Sequence, residues 1–143
     1  MLRSIFVLAL LLAATGCGSS GGSKSSSGAP AATSGTLVTK VEHAAAKVEG
    51  ASIIGTVKVT EGGKPGEHLS LRYGLVDAVS GVRASQEEQL VAKYTTTSSV
   101  VSKDVTMHFA KPNTPTDYLL HFVLYGPNGS YLASADSDVF SVR

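Results

Sequence analysis

DYLLHFVLYGPNGS, residues 117–130, decides how the rest of the chain is read. Nine residues without glycine or proline, rich in aromatic and large aliphatic side chains, end at Gly126-Pro127-Asn128-Gly129. A run of this length and composition bounded by turn residues is a strand. Asn-Gly supplies the positive φ that a tight reversal needs, so the chain returns as a hairpin, with Tyr131 to Ser134 as the second strand. Alternation along the first strand puts Tyr118, Leu120, Phe122 and Leu124 on one face, which we assign to a core. The opposite face carries Leu119, His121, Val123 and Tyr125 and is also largely apolar. A strand of a two-layer sandwich is ordinarily polar on its outer face. Two readings follow for those four residues: the N-terminal segment from Leu37 to Val48 folds over them, or they form a partner-binding face. The covering segment is the favoured reading, because monomers seldom leave such strips bare.

Working outward, the same period of two recurs. Ser52 to Val59 alternates until Glu61-Gly62-Gly63-Lys64-Pro65-Gly66 interrupts it. His68 to Leu75 places Leu69, Leu71, Tyr73 and Leu75 on one side, and Ser80-Gly81 marks a turn. Leu90 to Thr97 reads as a further strand, and Lys103 to Phe109 sets Val105, Met107 and Phe109 inward against Asp104, Thr106 and His108. Pro112-Asn113-Thr114-Pro115 breaks the chain before residue 117, and Val139 to Val142 closes it. Only His43 to Val48, alanine-rich and short, and Ser85 to Ala92 offer a helical turn. Short strands spaced by turn signals favour an all-β antiparallel sandwich over a helical or βαβ plan. Residues 36–143 are long enough to close one such core.

The aromatic-led strand, the P-N-G turn and the final x-F-x-V resemble the last hairpin of fibronectin-III-like and other bacterial immunoglobulin-like domains. The resemblance implies a single Ig-like β-sandwich, with Tyr118 at the position of that fold's tyrosine corner. There is no tryptophan and no cysteine pair, so the antibody-type core signature is absent. This fold hosts many functions, and only its architecture is carried over.

Ahead of the domain the composition changes twice. Residues 1–16 begin with Arg3, continue through an apolar run from Ile5 to Leu12 and end in small residues, the layout of an export signal. Extended to Ala14, the fully apolar run is about half the ~20 residues a membrane-spanning helix needs. The chain's one cysteine, Cys17, follows directly. Ala14-Thr15-Gly16-Cys17 resembles the lipobox of bacterial lipoproteins. That resemblance implies a diacylglyceryl group on the Cys17 sulfur, cleavage before it, and attachment to a membrane as the partner. An intrachain disulfide is excluded for want of a second cysteine. Residues 17–35 then form a Gly/Ser-rich spacer without large apolar side chains, expected to be disordered and to reach ~25 Å as a coil. The expected location is the cell envelope: the outer membrane, facing the periplasm, in a Gram-negative cell, and otherwise the outer face of the cell membrane.

Chemistry-bearing motifs are sparse. Gly18-Ser19-Ser20-Gly21-Gly22 fits the spacing of a serine-nucleophile elbow, but a Gly/Ser coil cannot form the strand–turn–helix that gives the motif meaning. His43, His68, His108 and His121 lack metal-ligand spacing, so we assign no metal ligand, no cofactor and no catalytic residue. The pairs Asp136/Asp138 and Glu87/Glu88 read as solvated acids. Lys and Arg total 12 against 11 Asp and Glu, and loss of Arg3 with the signal balances them. Nothing builds the basic stripe that nucleic acid requires. The function expected is that of a membrane-anchored, non-enzymatic binding or structural module with a protein partner in the envelope. The alternative is an envelope metal-binding protein of copper type using the histidines, or a small envelope enzyme.

Overall fold

The strand that opens the sequence argument is the centre of the fold. The computed structural model describes residues 35–85 and 87–143. The expected signal, the lipidated Cys17 and nearly all of the spacer therefore lie outside the described residues. Eight strands follow in order: β1 Val38–Glu49, β2 Ser52–Gly62, β3 His68–Asp77, β4 Gln89–Thr95, β5 Val101–Ala110, β6 Asp117–Tyr125, β7 Tyr131–Asp136 and β8 Phe140–Ser141. They form two antiparallel sheets, β1-β2-β5 and β4-β3-β6-β7, with β8 continuing the β7 edge on β6. The domain is an Ig-like β-sandwich.

The two inner faces meet as the alternation requires. Val41, Ile53, Val57 and Val59 come from the three-stranded sheet, and Leu69, Leu71, Leu120, Phe122 and Leu124 from the five-stranded one; all are buried. Each such side chain contributes about 1.5–3 kcal/mol on burial. Tyr73 of β3 and Phe109 of β5 close one side, their rings 5.1 Å apart. At the other end the Tyr118 hydroxyl donates to the Thr114 carbonyl at 3.0 Å, and its ring packs 6.2 Å from Phe140. This is the tyrosine corner that the resemblance implies. The hairpin after β6 turns through Pro127–Gly129, with Asn128 at φ 60° and Gly129 at φ 74°.

Two segments differ from the sequence expectation. His43 to Val48 is strand, not a helical turn. A bulge between Glu42 and Ala45, with His43 at φ 51°, inserts one extra residue into the β1–β2 ladder. Val41 and Ala44, both packed on the core, thereby stand three apart in sequence. The bulge gives a strand the spacing of a helix over that step. In the second segment, expected from Ser85 to Ala92, no described residue is helical: Gln89 to Ala92 belong to β4, and a second bulge there pairs Leu71 with Ala92 but Arg72 with Leu90.

The edge beside β6 is interrupted between β7 and β8, and a side chain repairs the gap. Ser137, 6% exposed, accepts the Leu120 amide on its Oγ at 2.9 Å and donates to the Asp138 carbonyl at 2.8 Å. A buried amide is thus paired where the ladder cannot reach it.

Candidate functional site: the outer face of the five-stranded sheet

The second face of β6 is neither covered by the N-terminal segment nor bare. Residues 38–49 form β1 in the opposite sheet, and Val41, Ala44, Ala46 and Val48 face the common core. The covering reading is thereby corrected: those apolar residues are consumed by the inner face. On the outer face Val123 is 2% exposed, while Leu119, His121 and Tyr125 are half-buried. Their neighbours are set by register. Arg72 on β3 and Ser134 on β7 flank Val123; Gly74 and Asp136 flank His121; Ser70 and Tyr131 flank Tyr125. The Tyr131 hydroxyl is held 2.8 Å from Ser134 Oγ, which lays the tyrosine along β7 towards Val123. Val123 is thus buried on this face, and a partner surface built on it alone is excluded.

Polar groups complete the face. The loop after β3 returns beside that strand through the Val76–Arg83 bridge and the Ala84 amide bonded to the Leu75 carbonyl at 2.8 Å. Glu88 then crosses β3 at Gly74, where an added Cβ would stand 3.8 Å from the Glu88 Cγ. The Glu88 side chain is only 8% exposed, and its Oε1 lies 2.8 Å from Arg83 Nη2. Hydrogen bonding to Glu88, followed by burial and the Glu88 charge, holds the Tyr125 phenol above its ordinary pKa; Arg83 and Arg72 oppose that shift. His121 Nδ1 pairs with Asp136 Oδ1 at 2.5 Å.

Three shallow clefts run along this face. One of about 310 Å³ is lined by Ser70, Arg72, Glu88, Tyr125, Gly126 and Gly129. Its neighbour, about 410 Å³, lies between Arg72, Arg83, Glu87, Glu88 and Tyr125. A third, about 480 Å³, sits at the hairpin end, with His68, Ser70, Lys93, Pro127 and Asn128 among its walls. Of the four residues expected on this face, Tyr125 enters the clefts; Leu119, His121 and Val123 lie beside them. Arg72, Arg83 and Lys93 were missed in the sequence, and Glu88 was read there as a solvated acid. The alternation of β3 places Arg72 outward, but only the loop's return brings Arg83 and Glu88 to it. The pair Glu87/Glu88 divides: Glu87 is exposed and Glu88 is buried against Arg83.

The histidines are dispersed. His43 sits on the β1 bulge, His108 on β5, His68 next to Thr95 at 3.2 Å, and His121 with Asp136. Among the described residues no three His, Cys, Asp or Glu side chains gather as metal ligands would.

No protein-family model matches the chain, and no curated protein matches it. Solved structures do share its shape. The Pseudomonas fluorescens alkylpurine DNA glycosylase AlkC, bound to DNA containing an abasic-site analog, superposes with a TM-score of 0.50 at 15% identity, over 73% of this chain and 30% of the glycosylase. A glycosyl hydrolase family 2 member from Bacteroides cellulosilyticus gives 0.49 at 13% identity, over 73% of this chain and 15% of the hydrolase. A β-glucosidase from Kluyveromyces marxianus gives 0.45 at 14% identity, over 76% and 14%. The chain thus spans less than a third of each of these proteins, and at such identities the likeness is one of fold alone.

Proposed function

We propose that the chain is a bacterial lipoprotein: an acylated Cys17 and a flexible spacer hold the Ig-like sandwich at the cell envelope, where it serves as a non-enzymatic binding module. The lipobox-like Ala14-Thr15-Gly16-Cys17 after an apolar run supports the anchor. Two or more acyl chains, at ~0.8 kcal/mol per buried CH₂, would make that attachment effectively permanent. The observation that carries the binding role is the outer face of the five-stranded sheet. There a carboxylate is sunk beside an arginine and a tyrosine, in a line of clefts, on a surface that elsewhere would be plain and solvated. A buried carboxylate held by a charge partner favours one fixed arrangement of the groups around it, which is what recognition of a ligand requires.

The anchor is tested by Cys17→Ser. A hydroxyl is a far poorer acceptor than a thiolate, so lipid labelling and membrane retention should both be lost. Normal labelling and retention in that variant would refute the lipoprotein reading.

A further inference from the structure

Among the described residues, the lysines and arginines of this domain have a carboxylate or carbonyl partner or face acids across the strands, with two exceptions. Six lysines and arginines make ion pairs with carboxylates. Lys58 stands opposite Glu42 on one side and Asp104 on the other, and Lys111 Nζ donates to the Arg143 carbonyl at 2.8 Å. Arg72 and Lys93 remain, and they are neighbours. Lys93 pairs in register with Ser70, two residues before Arg72, so both cations project from the outer face on a diagonal. Like charges in such a position repel. Glu88, which lines a cleft with Arg72, is already engaged by Arg83. Glu87 is exposed at the rim. The clefts holding Arg72 and Lys93 share Ser70 and Gly126 as walls, and their volumes of about 310 and 480 Å³ fall within the range of small-ligand sites.

We infer that this double cleft binds the carboxylate of an acidic sugar residue. The inference rests on the binding-module reading and names its ligand. A guanidinium fork matches the two oxygens of a carboxylate, and the ammonium adds an unoriented charge. A monoanion suits the place better than a phosphate dianion, because Glu87 and Glu88 border the same groove. The sugar ring has a platform next to it. Tyr131 lies opposite Tyr125 on the same face, is 62% exposed, and is tied down through its hydroxyl to Ser134. An aromatic ring fixed along the strand offers an apolar surface to the C–H face of a pyranose, while Ser70 and Asn128 supply hydroxyl and amide groups for its hydroxyls.

The test is calorimetric titration of the full chain with trigalacturonate, with galactotriose as the neutral counterpart and inorganic phosphate as competitor. Trigalacturonate should bind at least about tenfold more tightly than galactotriose and weaken as salt is raised. The double variant Arg72→Gln/Lys93→Gln should lose at least about tenfold with an unchanged melting temperature, since both side chains are exposed. Tyr131→Ser should weaken trigalacturonate by several fold and leave binding of free acetate unchanged. Equal affinity for the neutral sugar, wild-type affinity in the double variant, or displacement by phosphate at equal concentration would overturn the assignment. If the assignment falls while the double variant still loses binding to washed envelopes, the ligand is wrong and the module reading stands. If envelope binding is also unchanged, both fall.

Discussion

The two outer faces of this sandwich are built by opposite rules. On the three-stranded sheet the central charged and hydroxyl rungs answer one another. Glu42, Lys58 and Asp104 alternate in sign across three strands, Thr60 shares a hydrogen bond of 2.7 Å with Ser102, and Lys40–Glu42 and Lys47–Glu49 pair along β1. These groups are exposed or half-exposed, and each interaction is worth a few tenths of a kcal/mol to ~1. On the five-stranded sheet the central valine is buried, a carboxylate is sunk over Gly74, and two cations are left unanswered. A face that satisfies itself has no use for a ligand. A face that buries some polar groups and leaves others unmatched is organised around something else.

Breaking the sandwich itself should have the largest effect, and it sets the scale. Phe122 is 0% exposed between the sheets, and Phe122→Ala should cost ~3–5 kcal/mol in urea or thermal unfolding. A loss below ~1 kcal/mol would mean the core is elsewhere. Val123, one residue on, sharpens the contrast between the faces. Because it is buried, Val123→Lys should destabilise by ~2–3 kcal/mol, whereas Thr56→Lys on the other outer face should stay within ~0.5 kcal/mol. Equal tolerance at the two positions would erase the distinction.

Smaller effects test the edges. Ser137→Ala strands the Leu120 amide in the interior and should cost ~1–3 kcal/mol, more than a surface serine such as Ser102. Tyr118→Phe removes only the corner hydrogen bond and should cost about 1 kcal/mol. The smallest effect concerns Asp77, whose carboxyl is held below its ordinary pKa mainly by the Ser80 amide, with the Val79 amide assisting. A depressed carboxylate contributes stability that is present above the unfolded pKa of ~3.9 and is lost as pH falls through the folded value. Asp77→Asn should therefore lower stability slightly at neutral pH, converge with the wild type as pH falls through the folded value, and so flatten the acid side of the profile measured by thermal melts across pH.

How much of this was legible follows from how local each feature is. β6, its hairpin and the tyrosine corner rest on adjacent residues, and the sequence from Thr114 to Ser130 carries all three. The interior of β2 and β5 was readable for the same reason, since Val57, Val59, Val105 and Phe109 keep strict alternation. β1 was obscured because its bulge shifts the period midway, so alanines at 44–46 imitate a helix. The outer face was half legible. Its apolar residues stood out on β6, but their neighbours come from β3, β7 and the residues Arg83 and Glu88, the first placed by the Val76–Arg83 bridge. No spacing in the chain announces that Glu88 crosses β3 at Gly74.

The most direct test sets the two outer faces against each other in one binding experiment. The full chain carrying Cys17→Ser, freed of its lipid, is titrated onto washed bacterial envelopes, and Arg72→Gln/Lys93→Gln is compared with Lys58→Gln. The account predicts at least about a tenfold loss of envelope binding in the first and less than about twofold in the second, with equal melting temperatures. Equal losses in the two, or full binding by the Arg72/Lys93 variant, would contradict it.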